Sequence, residues 1–365
     1  MLPLTEIDRL ARTVDATWRS PVGDAAAGAW GLEPGTARWW RSSASHVFVV
    51  PPVPGRPRLY LRLHPAAHRT AAQVRAVAVL QERLVARGVR VAPFLRSRCG
   101  RLVETVATPV GPLHATAVAA APGEAVALED LGPDRALAWG AHVATLHEHL
   151  AACADGLPGG ALPDAAAARA RAAAALVDDP SAAAAARRVA ARVAGLERAP
   201  GGLGVLHGDP ELDNLAWDDG RPTAFDLDEA ERGPLLADVA HAVRDLLHRG
   251  RPRPEHAATL DAFLEGYLRV RPRARPDLVH LPLLARAGAA RSLADVRRVL
   301  AAAEDLDPAV LPGLRTHLVA LAGRHRAELL HEGQPEPDHE PDDEVGPEVR
   351  PEAGLPGEER TVDGT

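Results

Sequence analysis

The stretch LHGDPELDNLAWDDGRPTAFDLDEAERG, Leu206 to Gly233, has the outline of two strands and a tight turn. It also carries polar groups that a surface hairpin has no use for. Leu215–Trp217 and Thr223–Phe225 flank Asp218-Asp219-Gly220-Arg221, and Asp-Gly is a strong short-turn signal. With Asp219 and Gly220 as the turn residues, Asn214 falls opposite Phe225, next to Asp226, at the same end of the hairpin. An amide oxygen and a carboxylate there suit Mg²⁺, which takes oxygen ligands and completes its shell with water and phosphate oxygens. Asp209 lies five residues before Asn214, within reach of a hydroxyl entering the same pocket. Gly208 lets the backbone bend or another group approach closely. His207 is expected to brace the loop by hydrogen bonds rather than to react. The alternative is an acidic solvated hairpin, since residues 207–238 hold ten acidic side chains and two arginines. That many carboxylates repel one another unless cations offset them. Random acidity also gives no reason for His-Gly-Asp and Asn at this spacing.

The rest of the chain limits what such a site can belong to. Its 365 residues are enough for two lobes with a sizeable core. The sequence contains no lysine, so all 42 basic residues are arginine. This excludes a Walker A loop and any lysine Schiff base. The net charge of −7 is misleading, because residues 331–365 hold 12 acidic and 2 basic side chains and leave +3 for the remainder. A nearly neutral body gives no electrostatic case for a nucleic-acid partner. No apolar run reaches the roughly 18 residues of a membrane span, and the first residues show no signal-peptide pattern. Cys99 and Cys153 form no CxxC pattern. A cytoplasmic, reducing location is the expectation, and no oligomeric state is read from the sequence.

Along the chain, RWW, HVFVV and RLYLRL read as strands, with Tyr60, Arg62 and His64 alternating against Leu59, Leu61 and Leu63 as in a half-buried strand. A helix from Ala71 to Arg87 carries Val74, Val77, Leu80 and Leu84 on one stripe and ends at Gly88. Strand-like runs follow at Val89–Leu95 and Arg101–Val106. From Pro133 the pattern is helical: 133–152, the Ala-rich 164–177 and 181–197, then 237–250, 255–270 and 278–329. The expected fold is α+β: a sheet-rich N-terminal lobe (1–118), a helical C-terminal lobe (119–330) with the hairpin embedded in it, and a disordered acidic tail (331–365).

These residues resemble the aminoglycoside phosphotransferase/choline kinase family, whose members have the protein-kinase-like fold with the active site between two lobes. The resemblance rests on His207-Gly208-Asp209, then Asn214, then Phe225-Asp226-Leu227-Asp228, with the Asp-to-Asn spacing of the kinase catalytic loop. Ala121-Pro122-Gly123, Gly140 with Thr145-Leu146-His147, Asp238, and Phe263-Leu264-Glu265-Gly266-Tyr267 match weaker family features. The resemblance implies an ATP- and Mg²⁺-dependent phosphotransferase acting on a small-molecule hydroxyl. Asp209 would orient or deprotonate the acceptor, and Asn214 and Asp226 would hold the metal. Arg62 would contact the phosphates, and the Ser42–His46 stretch, including Ser45 and His46, would cover them in place of a Gly-rich loop. His207, Asp228 and Asp238 would support the loops or face the substrate.

Two departures stand out. Arg62 replaces the usual lysine, which keeps the charge and changes the geometry. Val77 stands where the partner glutamate would align, which leaves Glu104 or Asp226 as candidate partners for Arg62. A non-catalytic kinase-like module binding nucleotide or a partner is the alternative these departures suggest, and a metal-dependent phosphohydrolase is a third. The acidic stretch Asp228, Glu229 and Glu231 suggests an amine-bearing acceptor. No zinc motif is found: His147-Glu148-His149 is not HExxH.

Overall fold

In the computed structural model the described residues are 2–158, 160–196, 202–302 and 313–331. The acidic tail expected from 331 onward lies outside them, His331 excepted. Two short helices that the sequence reading did not anticipate come first, α1 (Leu4–Ala11) and α2 (Pro21–Ala29). The second starts where Ser20 accepts a hydrogen bond from the Val22 N–H and Pro21 supplies a preset φ.

The N-terminal sheet is antiparallel. It contains β1 (Arg38–Ser42), β2 (His46–Val50), β3 (Leu59–Pro65), β4 (Phe94–Leu95), β5 (Glu104–Thr108) and β6 (Gly111–Ala119), ordered β1-β2-β3-β6-β4 with β5 on β6. Between β1 and β2 the register shifts after Trp39↔Phe48, so that Arg41 pairs with Val47. Trp40 is the extra residue of a bulge. The reading of β3 as half-buried needs correction. Leu59, Leu61 and Leu63 enter the core with Phe48, Leu113 and Ala117, but Arg62 (9% exposed) and His64 (1%) on the other face are buried too.

Strand β6 was missed because GPLHATAVA is poor in β-branched and aromatic residues. Burial between β3 and its other neighbours overrides that propensity. The run from Val89 pairs as a strand only at Phe94–Leu95. Its earlier part instead joins the hairpin, through Ala92 N–H to Ala224 O and Ala224 N–H to Arg90 O. Helix α3 (Ala71–Ala86) opens on a capping box between Thr70 and Gln73.

The C-terminal region is helical: α4 (Pro133–Ala154), α5 (Ala165–Ala175), α6 (Pro180–Leu196), α7 (Leu236–Ala242), α8 (Ala257–Val270), α9 (Leu281–Ala302) and α10 (Leu314–Leu330). The helix expected over 237–250 stops at Ala242. A 3-10 turn at Arg244–Leu246 follows, then a short hairpin pairing Leu247 with Pro252 across Arg249 and Gly250, both at positive φ. Helices α4 and α8 cross with their backbones almost touching. A Cβ on Gly140 would lie 1.9 Å from the Phe263 carbonyl oxygen, and one on Gly266 would lie 1.9 Å from that of Leu137. Beside this crossing Trp139 meets Phe263 edge to face at 4.8 Å between centroids, and its Nε1–H donates to the Pro210 carbonyl. The helix pair is thereby tied to the loop after His207.

Among the helices sit β7 (Leu203–Leu206) paired with β10 (Glu231–Pro234), and the hairpin β8 (Leu215–Asp218)/β9 (Arg221–Ala224). The pairing Leu215↔Ala224 and Asp218↔Arg221, with Asp219 and Gly220 both at positive φ, is the register expected from the Asp-Gly turn. No helix among the described residues is long and apolar enough to cross a membrane.

Candidate active site

Two loops are set side by side by the β7/β10 pair: residues 207–214 after β7, and residues 225–230 before β10. Gly208 (φ +87°) is required at their contact, because a Cβ there would sit 2.0 Å from the Glu229 carbonyl oxygen. His207 braces the same junction. Its Nε2–H donates to the Phe225 carbonyl at 3.1 Å, and its Nδ1 accepts from the Asp209 N–H at 3.3 Å. Underneath, Asp238 (1% exposed) receives the N–H groups of His207 (2.7 Å) and Gly208 (3.0 Å) and the Nε2–H of His147 (3.0 Å). His147 in turn has its Nδ1 3.0 Å from the Tyr267 hydroxyl. Burial works against the Asp238 charge, but the hydrogen bond and charge of His147, with His207 and its N–H, hold this carboxyl below its ordinary range.

Asn214 donates from Nδ2 to both the carbonyl (2.9 Å) and Oδ2 (3.0 Å) of Asp209. Its backbone carbonyl accepts from the Phe225 N–H at 3.0 Å, the cross-strand relation expected from the sequence. Both side-chain bonds use Nδ2, so Oδ1 is the atom left to face an ion. Asp226 follows in the left-handed region (φ +65°, ψ +55°), a conformation Asp tolerates better than most residues. Its Oδ1 accepts from Arg62 Nη2 at 2.6 Å.

Asp209 was expected; its neighbours His241 and Arg244 were not. His241 Nε2 lies 2.7 Å from Asp209 Oδ1, and Arg244 contacts both His241 Nε2 and Glu211. Burial raises the Asp209 pKa, but the hydrogen bond and charge of His241, with His207 and Arg244, outweigh it and hold the carboxyl below its usual value. Asp209, Glu211 and His241 are the one group of three His, Cys or carboxylate side chains gathered closely enough for a metal among the described residues. The Arg244 guanidinium already pairs with Glu211 and offsets part of that group's charge. The one signal in the sequence for His241 is its i, i+3 spacing from Asp238 on α7, which puts the two side chains on one face.

Arg62 settles the partner question. The same Nη2 that reaches Asp226 is 2.6 Å from Asp228 Oδ2, whereas Glu104 is bonded to Ser97 and Arg101 and Val77 lies in the core. Asp228 (5% exposed) is also approached by Arg69 at 3.9 Å and His64 at 3.6 Å. Burial would raise its pKa, but cationic neighbours led by Arg62 hold it well below the carboxylate range. His64, pushed down to about 4 by burial, is neutral at pH 7, so the two arginines carry this effect. Glu231 and Glu229 are paired with Arg291 at 2.7 and 3.2 Å. The acidic stretch that suggested an amine-bearing acceptor is therefore neutralised within the protein, and that expectation loses its basis.

Ser45 and His46 also need correction. Both are buried (0% and 1% exposed) and neither lines the cleft. His46 pairs with Leu63 on the sheet face opposite Arg62, bonds Ser42 Oγ through Nδ1 at 2.8 Å, and is pushed down to about 4 by burial. On the cleft side is a cavity of about 590 Å³ bordered by Arg41, Tyr60, Arg62, Phe94, Val118, Asp226 and Asp228, among others. It is of ligand-binding size and mixed polarity. Its rim includes Gly123 (φ +93°), where a Cβ would lie 1.9 Å from the Trp217 carbonyl oxygen. The Glu124 and Trp217 backbones exchange hydrogen bonds there, so the segment leaving the sheet is clipped to the hairpin.

A sheet-rich N-terminal region and a helical C-terminal region, with Asp209, Asn214 and Asp226 on two adjacent loops and Asp226 bordering a ligand-sized cavity, is the arrangement of a kinase-like phosphotransferase. Residues 37–276 match the model of the phosphotransferase enzyme family, and the chain belongs to that family. Comparison with curated sequences finds no match. Among solved structures the chain is similar to amicoumacin kinase hAmiN in complex with AMP-PNP, Ca²⁺ and Ami (16% identity, 88% of this chain and 95% of that one, TM-score 0.70). It is also similar to a microcompartment-associated aminopropanol kinase (18%, 84% and 95%, TM-score 0.59). A third is spectinomycin phosphotransferase in complex with ADP and its antibiotic (11%, 84% and 96%, TM-score 0.55). At these identities the likeness establishes the kinase-like fold.

Proposed function

We propose that the protein transfers the γ-phosphoryl group of ATP, with Mg²⁺, to a hydroxyl of a small molecule. The observation that carries this reading is a relay of contacts. Asn214 bonds Asp209 through Nδ2 at 3.0 Å, and its carbonyl accepts from the N–H of Phe225, the residue before Asp226, at 3.0 Å. Asp226 accepts from Arg62 at 2.6 Å, and these last two border the cavity. In this reading Asn214 Oδ1 and the Asp226 carboxylate would hold the metal, and Arg62 sets the position of Asp226. A divalent cation bound there would offset phosphate charge and align the transferred group. Asp209 accepts the hydrogen bond of the acceptor hydroxyl. Because its pKa is held down, it is a weak base towards a resting alcohol. Its part is to orient the oxygen and to take the proton as transfer proceeds, which suits a loose transition state. The names of the similar structures, with amicoumacin, aminopropanol and spectinomycin, support a small molecule as acceptor.

The test is Mg-ATP turnover against a library of hydroxyl compounds, followed by Asp209→Asn on each hit. Turnover should fall by about 10²- to 10⁴-fold with nucleotide binding retained. Unchanged turnover in Asp209→Asn, or no nucleotide binding by the native chain, would sink the reading.

A further inference from the structure

The sheet face bordering the cavity carries one row of side chains across four strands. Thr116 lies opposite Arg62, Arg62 opposite Val47, and Val47 opposite Arg41. Arg41 is in this row only because of the bulge at Trp40. Before the bulge Trp39 pairs with Phe48; continued regularly, Arg41 would face His46, whose side chain is buried on the other face. One extra residue changes the phase, and a one-residue slip moves a side chain to the opposite side of a sheet. Both Trp40 and Arg41 line the cavity as a result.

The two arginines of the row differ in what they are bonded to. Arg62 is buried and directs Nη2 at two carboxylates at 2.6 Å each, so its charge is balanced within the protein. Arg41 has a side chain 54% exposed, and its ion pair among the described residues is a 3.9 Å approach of Nη2 to Asp226 Oδ2. The loop that would otherwise cover phosphates, Ser42–Ser45, has no glycine and is tied down. The Ser43 N–H donates to the Ser45 carbonyl, the Ser43 carbonyl accepts from the Leu2 N–H, and Ser42 Oγ accepts from Trp39 Nε1.

We propose that Arg41 contacts the terminal phosphates of the bound nucleotide, doing with a guanidinium what a glycine-rich loop does with backbone N–H groups. This rests on the nucleotide reading above. A guanidinium presents paired donors matched to phosphate oxygens, and Arg41 needs to give up only one long contact to reach them.

The test is calorimetric binding of adenosine and of Mg-AMP-PNP to the full chain, native and as Arg41→Ala and Arg41→Lys. Arg41→Ala should weaken Mg-AMP-PNP about tenfold or more and leave adenosine affinity and melting temperature unchanged. Arg41→Lys should recover part of the loss. If the native chain binds Mg-AMP-PNP and Arg41→Ala binds it equally well, or loses adenosine to the same extent, the Arg41 assignment is overturned and the nucleotide reading stands. If the native chain binds neither ligand, both fall together.

Discussion

Asp238→Asn exchanges one carboxylate oxygen for an NH₂ group at nearly constant volume, beneath the loop that carries Asp209. Two donors share Oδ2, the His207 N–H at 2.7 Å and His147 Nε2–H at 3.0 Å, while Oδ1 receives the Gly208 N–H at 3.0 Å. The amide keeps most by placing its oxygen at the Oδ2 position, which turns its NH₂ towards the Gly208 N–H. One charge-assisted bond worth about 1.5–3 kcal/mol is lost and a buried donor is left facing another donor. Relief of the buried charge offsets part of this. The expected net loss is about 3 kcal/mol. For a chain of this size, roughly 2 °C of Tm accompanies each kcal/mol, so Tm should fall by about 6 °C at pH 7. The pH dependence has a definite sign. Asp238 is held below its ordinary pKa of 3.8, so its contribution is present above that value and drains away as pH falls through the lower folded-state value. The gap between native and variant protein should therefore narrow below about pH 4. Calorimetric melting across this range is the assay, and a variant melting within about 1 °C of native at pH 7 would refute the clamp.

Gly140→Ala should cost about 2–3 kcal/mol, because the new methyl overlaps the Phe263 carbonyl at 1.9 Å and α4 and α8 must part; an unshifted urea midpoint would contradict this. Arg62→Met leaves Asp228 buried and short of its nearest cation, with an expected loss of about 3–5 kcal/mol. Adding Asp228→Asn should restore part of it, and strict additivity in that double-mutant cycle would show the pair is not coupled. His46, held at about 4 by burial, stays neutral in the fold while the unfolded chain protonates near 6.5. Its contribution is thus intact above pH 6.5 and lost as pH falls towards 4, by about 3 kcal/mol at most. Unfolding free energy followed by urea titration between pH 4 and 7 should be flatter in His46→Asn than in the native protein.

What the sequence made legible was local. Taking Asp219 and Gly220 as a two-residue turn gives the hairpin register that the structure shows, and any nearby register would still bring Asn214 and Asp226 to one end of the hairpin. The apolar stripe between Ala71 and Arg87, with Gly88 after it, gave α3 nearly to its ends. The readings that failed depended on distant parts of the chain. Strand β6 is built from residues of low strand propensity and exists because β3 and β5 flank it. The family resemblance placed Ser45 and His46 over the phosphates, but the pairing of His46 with Leu63 turns it to the sheet face opposite Arg62, and no feature of RWWRS announces the bulge that brings Arg41 to the cavity instead. Arg62 does bond Asp226, one of its two candidate partners, but it is shared with Asp228, 166 residues away on a loop whose acidity suggested substrate attraction. Only the folded chain shows that arginines had already claimed those carboxylates.

The reciprocal glycines of α4 and α8 give this protein a hinge pin that side-chain repacking cannot adjust. Where two helices meet through side chains, exchanging leucine for methionine changes the gap; here main chain rests on main chain. The spacing between His147 on one helix and Tyr267 on the other is thereby insulated from changes elsewhere in the apolar interior. Substitutions elsewhere in the core can accordingly accumulate without moving the Asp238 clamp, whereas the crossing itself admits no side chain.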